Sequence, residues 1–538
     1  MKILRYLTVL ILLFSFGCSE DFLEREPVDK LVIENFYETP EQANQGLMAI
    51  YSNLYDGDSD FLPLIAEVAS DNCFAGGGKT DPDDYLRYDR FLPNPLDNVN
   101  QGNWEAYYAG IFRSNVLISN MANINWESEE KEKIKIEAEA RFLRAYNYFN
   151  LTRMFGEVPL VTTVLKPGDE ATSASVEDIY ALIVADLMFA ADNLLAEDNS
   201  SASDFGRVTK WAAEAMLGRV FLYYTGYYGK EDVAGKLTLE QTRNYIDDVI
   251  DNSGHDLVDN FAGLWIVPAE SQGVDYAGEG NKEVVFAYKY TFNQAGYGTA
   301  YWQRLIGPRN YAVPPYGQGW GFATVNPKLW FAYSPDDTRR NATILSWEAE
   351  GIDPAYDPSD QRQYTGYNWK KYMQLSETEG QNYTIDLGAP DWQYWAYEDF
   401  ISIRFSDVLL MGSELHLNGD LARANELINR VRNRAFQNED NQVTLTGPNQ
   451  QSKDIIMEER RLELALEGQR YWDLLRQTGN SDFTVIKNAV NNEDPDHASD
   501  DLESFDVTFR EETRGLFQIP PVEIRLMNGS IEQNEGYN

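Results

Sequence analysis

Indole and phenol rings spaced among glycines are the side chains of this sequence best suited to recognition chemistry. Between Gln294 and Phe322 stand Tyr297, Tyr301, Trp302, Tyr311, Tyr316 and Trp320, interleaved with Gly296, Gly298, Gly307, Gly317, Gly319 and Gly321. A flat ring matches the apolar C–H face of a pyranose, and Asp, Asn, Gln or Arg matches its hydroxyl rim. Arg304, Arg309 and Asn310 lie in the same stretch, and Asp71, in the loop after the first helix, is a candidate rim partner. Glycine-rich backbone lets rings stand clear of a loop. For a sugar ligand the candidate contacts would be Trp302, Trp320, Tyr316, Tyr297, Tyr311 and Asp71, with Trp392 and Trp395 as a second pair. The competing reading is that these rings pin loops to a scaffold. Trp104, Trp211 and Trp472 fall in helical stripes and are expected in the core.

Other chemistries have less to work with. The three histidines, His255, His416 and His497, are far apart, and two cysteines, Cys18 and Cys73, make no disulfide framework. Gly78-Lys79-Thr80 resembles the end of a phosphate-binding loop, but Cys73 occupies the place of its first glycine and acidic residues follow. Asp56-Gly57-Asp58-Ser59-Asp60 with Glu67 has calcium-loop spacing, yet Phe61 replaces the essential glycine and Pro63 interrupts. No metal or cofactor is expected. Neither a Gly-x-Ser-x-Gly elbow nor a His-Glu-x-x-His pair occurs, and among 86 acidic residues no glycosidase carboxylate pair can be singled out. Lysine plus arginine number 45, so the formal charge is −41. Such a surface repels nucleic acid and anionic lipid and leaves neutral ligands unpenalised.

The elements that must carry these rings begin after a leader. Lys2 and Arg5 precede an apolar run, Leu7 to Phe14, too short to span a bilayer, and Ser15-Phe16-Gly17-Cys18 closes it. This resembles a bacterial lipoprotein signal: residues 1–17 would be removed and Cys18 acylated. The alternative is an ordinary secretory signal. Ser19-Glu20-Asp21 resembles the surface-export signal of Bacteroidetes lipoproteins. Helical spacing covers Pro40–Leu54, Trp104–Met121, Glu129–Phe155, Val176–Leu195, Thr209–Tyr228 and Leu239–Asp251, and returns at 404–417, 420–436 and 453–476. Residues 260–400 are rich in Gly, Pro and aromatics around one strand-like run, Glu283 to Tyr288. Paired helices with short turns suggest a mostly α, tetratricopeptide-like helical-hairpin scaffold carrying a large irregular insert.

The run Ala138-Glu139-Ala140-Arg141-Phe142-Leu143-Arg144-Ala145-Tyr146, continuing to Met154-Phe155-Gly156-Glu157-Val158-Pro159-Leu160, resembles the hallmark helix of the SusD/RagB family. Glu283-Val284-Val285-Phe286 is similar to that family's central strand. Similar matches are Arg404 to Met411, Ala424 to Arg432, Ile456 to Arg476 and Ile519 to Ile524 with Gln533 to Tyr537. Departures are Phe405 and Ser406, Leu466 where Phe is common, and Glu535 in place of Pro. The resemblance implies about four tetratricopeptide-like units and a loop-rich C-terminal insert. On that basis residues 18–538 form one SusD-like domain: a helical scaffold over about 30–255 and 400–480, a glycan-binding insert over about 256–400, and an irregular tail over 481–538. It further implies no catalysis, a lipid-anchored place on the outer membrane at the cell surface, capture of oligo- or polysaccharide, and delivery to a SusC-like TonB-dependent transporter. Recurrent charges (Glu139, Arg141, Arg144, Glu459, Arg460, Glu463, Arg470) are expected as ion pairs between helices. Many aromatics and the negative charge favour a neutral glycan, a β-glucan such as laminarin. The alternatives are a helical-repeat adaptor that binds protein, or a glycoside hydrolase.

Overall fold

A computed structural model describes residues 36–537, apart from 56–60, 94–99, 128, 167, 170, 197–205, 293–297, 354–359, 480 and 492–504. Six long helices come first: α1 (Pro40–Tyr51), α2 (Gln101–Asn120), α3 (Glu130–Phe155), α4 (Val176–Asn193), α5 (Lys210–Tyr228) and α6 (Leu239–Asn252). Their starts follow the capping residues. Thr39 with Gln42, and Thr238 with Gln241, form capping boxes, while Ser175 and Thr209 accept from the first turns of α4 and α5. Each helix packs on the next from α2 to α6, and the series continues through α7 (Phe405–His416) and α8 (Leu421–Phe436). This is the helical-hairpin scaffold that the sequence pattern predicts. Helix α3 lies at its centre, and nearly every residue from Ala138 to Phe155 is buried. A helix enclosed on all sides needs no polar face.

The expected helix over 453–476 is instead two, α9 (Gln450–Leu464) and α10 (Arg470–Leu475). Leu466 and Gly468 take positive φ, +65° and +75°, and so turn the chain. Pro63 packs so closely that a Cβ on Gly468 would stand 2.5 Å from its Cα. The break leaves the carbonyls of Glu463 and Ala465 without helical partners, and Lys371 Nζ donates to both at 3.3 and 2.8 Å.

Between α6 and α7 the chain runs through short strands, short helices and turns. Strand β1 (Val284–Tyr288) pairs antiparallel with β4 (Phe400–Arg404), Val284 opposite Arg404 and Tyr288 opposite Phe400. Strand β2 (Ile344–Ser346) pairs with β3 (Tyr367–Trp369). The β1–β4 ladder draws together the two ends of the 289–399 excursion, and β4 leads directly into α7. The tail expected to be irregular contains short helices Thr484–Val490 and Pro521–Leu526. It also reaches the core: Phe517 N donates to Met154 O at 2.8 Å, and its ring stacks on Tyr471.

Charged hallmark residues tie helices together, as expected. Arg144 grips Asp186 at 2.7 Å, Arg207 holds Glu139 at 2.8 Å, and Arg460 bridges Asp407 and Asp473 at 2.6 and 2.9 Å. Trp104, Trp211 and Trp472 are buried. At one buried carboxyl, burial outweighs the neighbouring cation, Arg90. Asp89 accepts from Gln363 Nε2 at 2.7 Å and from Ala75 N, and burial pushes it up to about 7. An unfolded aspartate titrates at about 3.9. The folded chain therefore holds a proton that the unfolded chain releases, and this contribution to stability is lost as pH rises towards 7. Asp89→Asn, which keeps the acceptor oxygen, should lessen the fall in melting temperature between about pH 5 and about pH 8. An unaltered slope would refute that role.

Candidate functional site: an aromatic cluster around Arg304

Three of the expected sugar contacts are interior. Trp302 is 2 % exposed, stacked on Phe61 at 4.5 Å and 13°, with Tyr372 and Phe400 edge-on. Tyr316 is 1 % exposed and packs with Val267, Leu345, Trp347 and Met373. Asp71 is clasped by Arg470 at 2.7 and 3.0 Å and by Arg461 at 3.1 Å. Burial works to raise its carboxyl, but the two guanidinia overcome this and hold it well below the usual carboxylate range. It is a structural anion, not a rim partner. Tyr311 is half-buried beside Trp347, its ring 5.9 Å away. Tyr297 and the proposed anchor Cys18 lie outside the described residues.

The burial of Tyr316 follows from the glycines beside it. A Cβ on Gly319 would sit 1.5 Å from Ile306 O, and one on Gly317 would sit 2.3 Å from Gln374 O. These glycines let strands of backbone cross closely instead of lifting rings into solvent. The turn at Tyr316 is thereby drawn inward with its ring.

Trp320 does reach the surface and is half-buried. The short 3₁₀ turn Tyr301–Arg304 meets it, and a second, Trp392–Tyr394, packs on the first. Thr299 Oγ1 donates to Tyr394 O at 2.7 Å and Ala300 N to Ala396 O at 2.7 Å, fixing one turn on the other. Trp320 N donates to Arg304 O at 2.8 Å. Arg309 Nη1 in turn donates to Trp320 O at 2.8 Å while paired with Asp81 at 2.9 Å. The Arg304 guanidinium, itself buried, lies 4.7 Å from the Trp320 ring centre, 5.0 Å from Tyr394 and 5.6 Å from Tyr301. Tyr301 and Tyr394 meet edge-on at 5.6 Å, and Tyr394 is 43 % exposed. One cation thus orders three rings about a common point, an attraction that strengthens as water is excluded. Their open portions arrive pre-oriented.

The same strip, residues 391–397, carries further rings. Phe292 lies 6.2 Å from both Trp395 and Tyr397, and all three are half-buried, as is Trp392. The second expected pair, Trp392 and Trp395, therefore shares a strip with Tyr394, whose ring meets Tyr301. Tyr394 and the organising role of Arg304 escaped the sequence reading. The Trp392-Gln393-Tyr394-Trp395 run was the available signal, but nothing local says that it folds against residues ninety positions earlier. Polar side chains are close in the chain: Gln393 and Asp391 are half-buried, and Asn310 is exposed. The arrangement can present flat apolar surface bordered by hydrogen-bonding groups, and the rings themselves offer no nucleophile.

Comparison with known proteins gives two family matches. Residues 348–537 match the model described as "SusD family", and residues 21–222 match one described as "Starch-binding associating with outer membrane". The chain is similar to a "SusD-like protein" of Bacteroides ovatus, 28% identical over 482 residues, covering 86% of this chain and 80% of that one. Among solved structures it is similar to a "Laminarin binding SusD-like protein", 28% identical with a TM-score of 0.72, covering 93% of this chain and all of the other (100%). The fold is shared with surface glycan-binding protein A from Bacteroides thetaiotaomicron in complex with laminarihexaose, at 22% identity and a TM-score of 0.73, covering 92% and 99%.

Proposed function

The chain belongs to the SusD/RagB family, and from that premise we propose that it is a non-catalytic lipoprotein that captures glycan at the outer-membrane surface. Cys18 would carry the acyl anchor, and the captured chain would pass to a SusC-like TonB-dependent transporter. The observation that carries the reading is the half-exposed group Trp320, Tyr394 and Tyr301 gathered on Arg304. Pyranose faces stack on such rings, and the formal charge of −41 favours an uncharged polymer. A relative 28% identical is named for laminarin binding, which supports a β-glucan of that type as ligand.

The test is affinity electrophoresis in gels containing laminarin, followed by calorimetry with laminari-oligosaccharides. Trp320→Ala and Tyr394→Ala are each expected to weaken binding about ten- to a hundredfold, as for loss of a desolvated aromatic anchor. Far-UV circular dichroism should be unchanged. Release of reducing sugar would overturn the non-catalytic part. Unretarded migration across laminarin and a panel of neutral glycans would overturn the whole and favour a protein-binding adaptor.

A further inference from the structure

The aromatic strip 391–397 is fastened at its C-terminal end by two successive buried acids. Glu398 and Asp399 are 5 % and 4 % exposed. Asp399 faces the end of β1: it accepts from Tyr290 N at 2.8 Å and pairs with Lys289. Glu398 faces the other way. Its carboxylate oxygen accepts from Ile266 N at 2.8 Å, and its main-chain oxygen accepts from Gln303 Nε2 at 2.9 Å. Gln303 adjoins Arg304, the centre of the ring cluster. The Asp399 carboxylate thus fixes the strip to the 289–292 segment with Phe292, the Glu398 main chain fixes it to the 301–304 turn with Tyr301, and the Glu398 carboxyl fixes it to the backbone at Ile266.

The two acids differ in compensation. Lys289 sits on Asp399, whereas the charged or titratable groups turned towards Glu398 are Asp399 and Glu279, with the phenols of Tyr276 and Tyr397. A carboxylate here would be buried against two other acids with one amide N–H on its side. We infer that Glu398 is the positioning residue of the aromatic strip, and that ionising its carboxyl loosens the strip and weakens glycan binding. This rests on the glycan-binding reading above.

The electrostatics agree with the geometry. Burial, supplemented by Asp399 and Glu279 and opposed by the Ile266 N–H, pushes Glu398 up to about 8. Burial likewise raises Glu279 to about 7. Glu279 and Lys289 line an open groove of about 320 Å³ along β1, which brings solvent to this side of the acids. The sign follows from linkage: an acid raised in the folded state contributes fully at low pH, and its contribution is lost as pH rises through about 8.

The experiment has two arms on the full chain. Calorimetry with laminarihexaose between about pH 6 and about pH 9.5 should show affinity falling about fivefold or more on the alkaline side, because only molecules with the strip in place are competent. Hydrogen exchange without ligand, expressed as protection relative to intrinsic rates, should show amides 391–397 losing protection over the same range. Glu398→Gln keeps an acceptor for Ile266 N and cannot ionise, so it should flatten both profiles. Glu279→Gln removes a neighbour that raises Glu398, so it should only shift them to lower pH. The inference fails if the wild-type protection of 391–397 is independent of pH, or if Glu398→Gln keeps the wild-type slope. If laminarihexaose and other neutral oligosaccharides do not bind at any pH, the glycan reading fails, while the exchange arm still decides the positioning role.

Discussion

Arg404→Met is expected to prevent stable folding. The Arg404 guanidinium is sealed in the interior, with Nε and Nη2 on the Glu467 carboxylate at 2.7 and 2.9 Å. Its Nη1 meets Glu463 at 2.8 Å and Glu283 at 2.5 Å. Around it Arg339 joins Asp337, Glu459 and Glu463, Arg434 joins Glu283 and Glu463, Arg432 joins Glu459, and Lys371 joins Glu467. The cations Arg339, Lys371, Arg404, Arg432 and Arg434 match the anions Glu283, Asp337, Glu459, Glu463 and Glu467 one for one. Neutrality is what lets so many charges lie in a poor dielectric. Removing one partner of a single buried pair costs about 3–5 kcal/mol. Here one substitution strands parts of three carboxylates, against a whole-domain stability of about 5–15 kcal/mol.

The pH dependence distinguishes this cause from a simple packing defect. In the wild type, burial works to raise Glu463, but Arg434, Arg404 and Arg339 prevail and hold it well below the usual range. An acid depressed in the folded state contributes above its unfolded value and loses that contribution as pH falls, so the wild type should weaken towards acid. In Arg404→Met the stranded carboxylates favour protonation, so whatever folded protein survives should gain stability towards pH 5. Melting temperatures across pH, read by circular dichroism, test both slopes. A variant that melts like the wild type would show that the network is dispensable.

The parts of this molecule that were readable from sequence share a property: their evidence is local. Periodic apolar residues between caps such as Ser175 and Thr209 place a helix without knowledge of its neighbours. Charges at helical spacing, such as Glu459 and Glu463, reveal that something inside must be paired. They do not reveal that Arg339, Lys371 and Arg404, from three other segments, do the pairing. The break between α9 and α10 was hidden for the same reason, since Pro63 and Lys371 shape it from afar. In the loop-rich insert, ring and glycine composition singled out the stretch that carries Trp320 and Tyr301. It could not sort rings by depth, because depth there is set by which backbones cross. Gly319 beside Ile306 and Gly317 beside Gln374 decide it, and both contacts are tertiary. Trp320 and the Trp392–Trp395 run come to the surface while Trp302 does not.

Trp302 therefore offers the sharpest separation of scaffold from recognition. Trp302→Ala is expected to destabilise the fold by about 3–5 kcal/mol, the cost of emptying a buried tryptophan site. The stack on Phe61 and the edges of Tyr372 and Phe400 all lose their partner. Trp302→Phe should cost much less. It keeps a ring against Phe61, and it removes an indole Nε1–H that has no hydrogen-bond partner among the described residues. Losing an unsatisfied buried donor offsets part of the volume lost. Denaturant melts give the stabilities, and calorimetry with laminarihexaose gives the affinities. Trp302→Phe should bind as tightly as wild type, whereas Trp320→Ala should melt as wild type and bind poorly. If Trp302→Phe instead melts normally and loses the glycan, the ring is a ligand contact after all, and the surface centred on Arg304 is not the principal docking site.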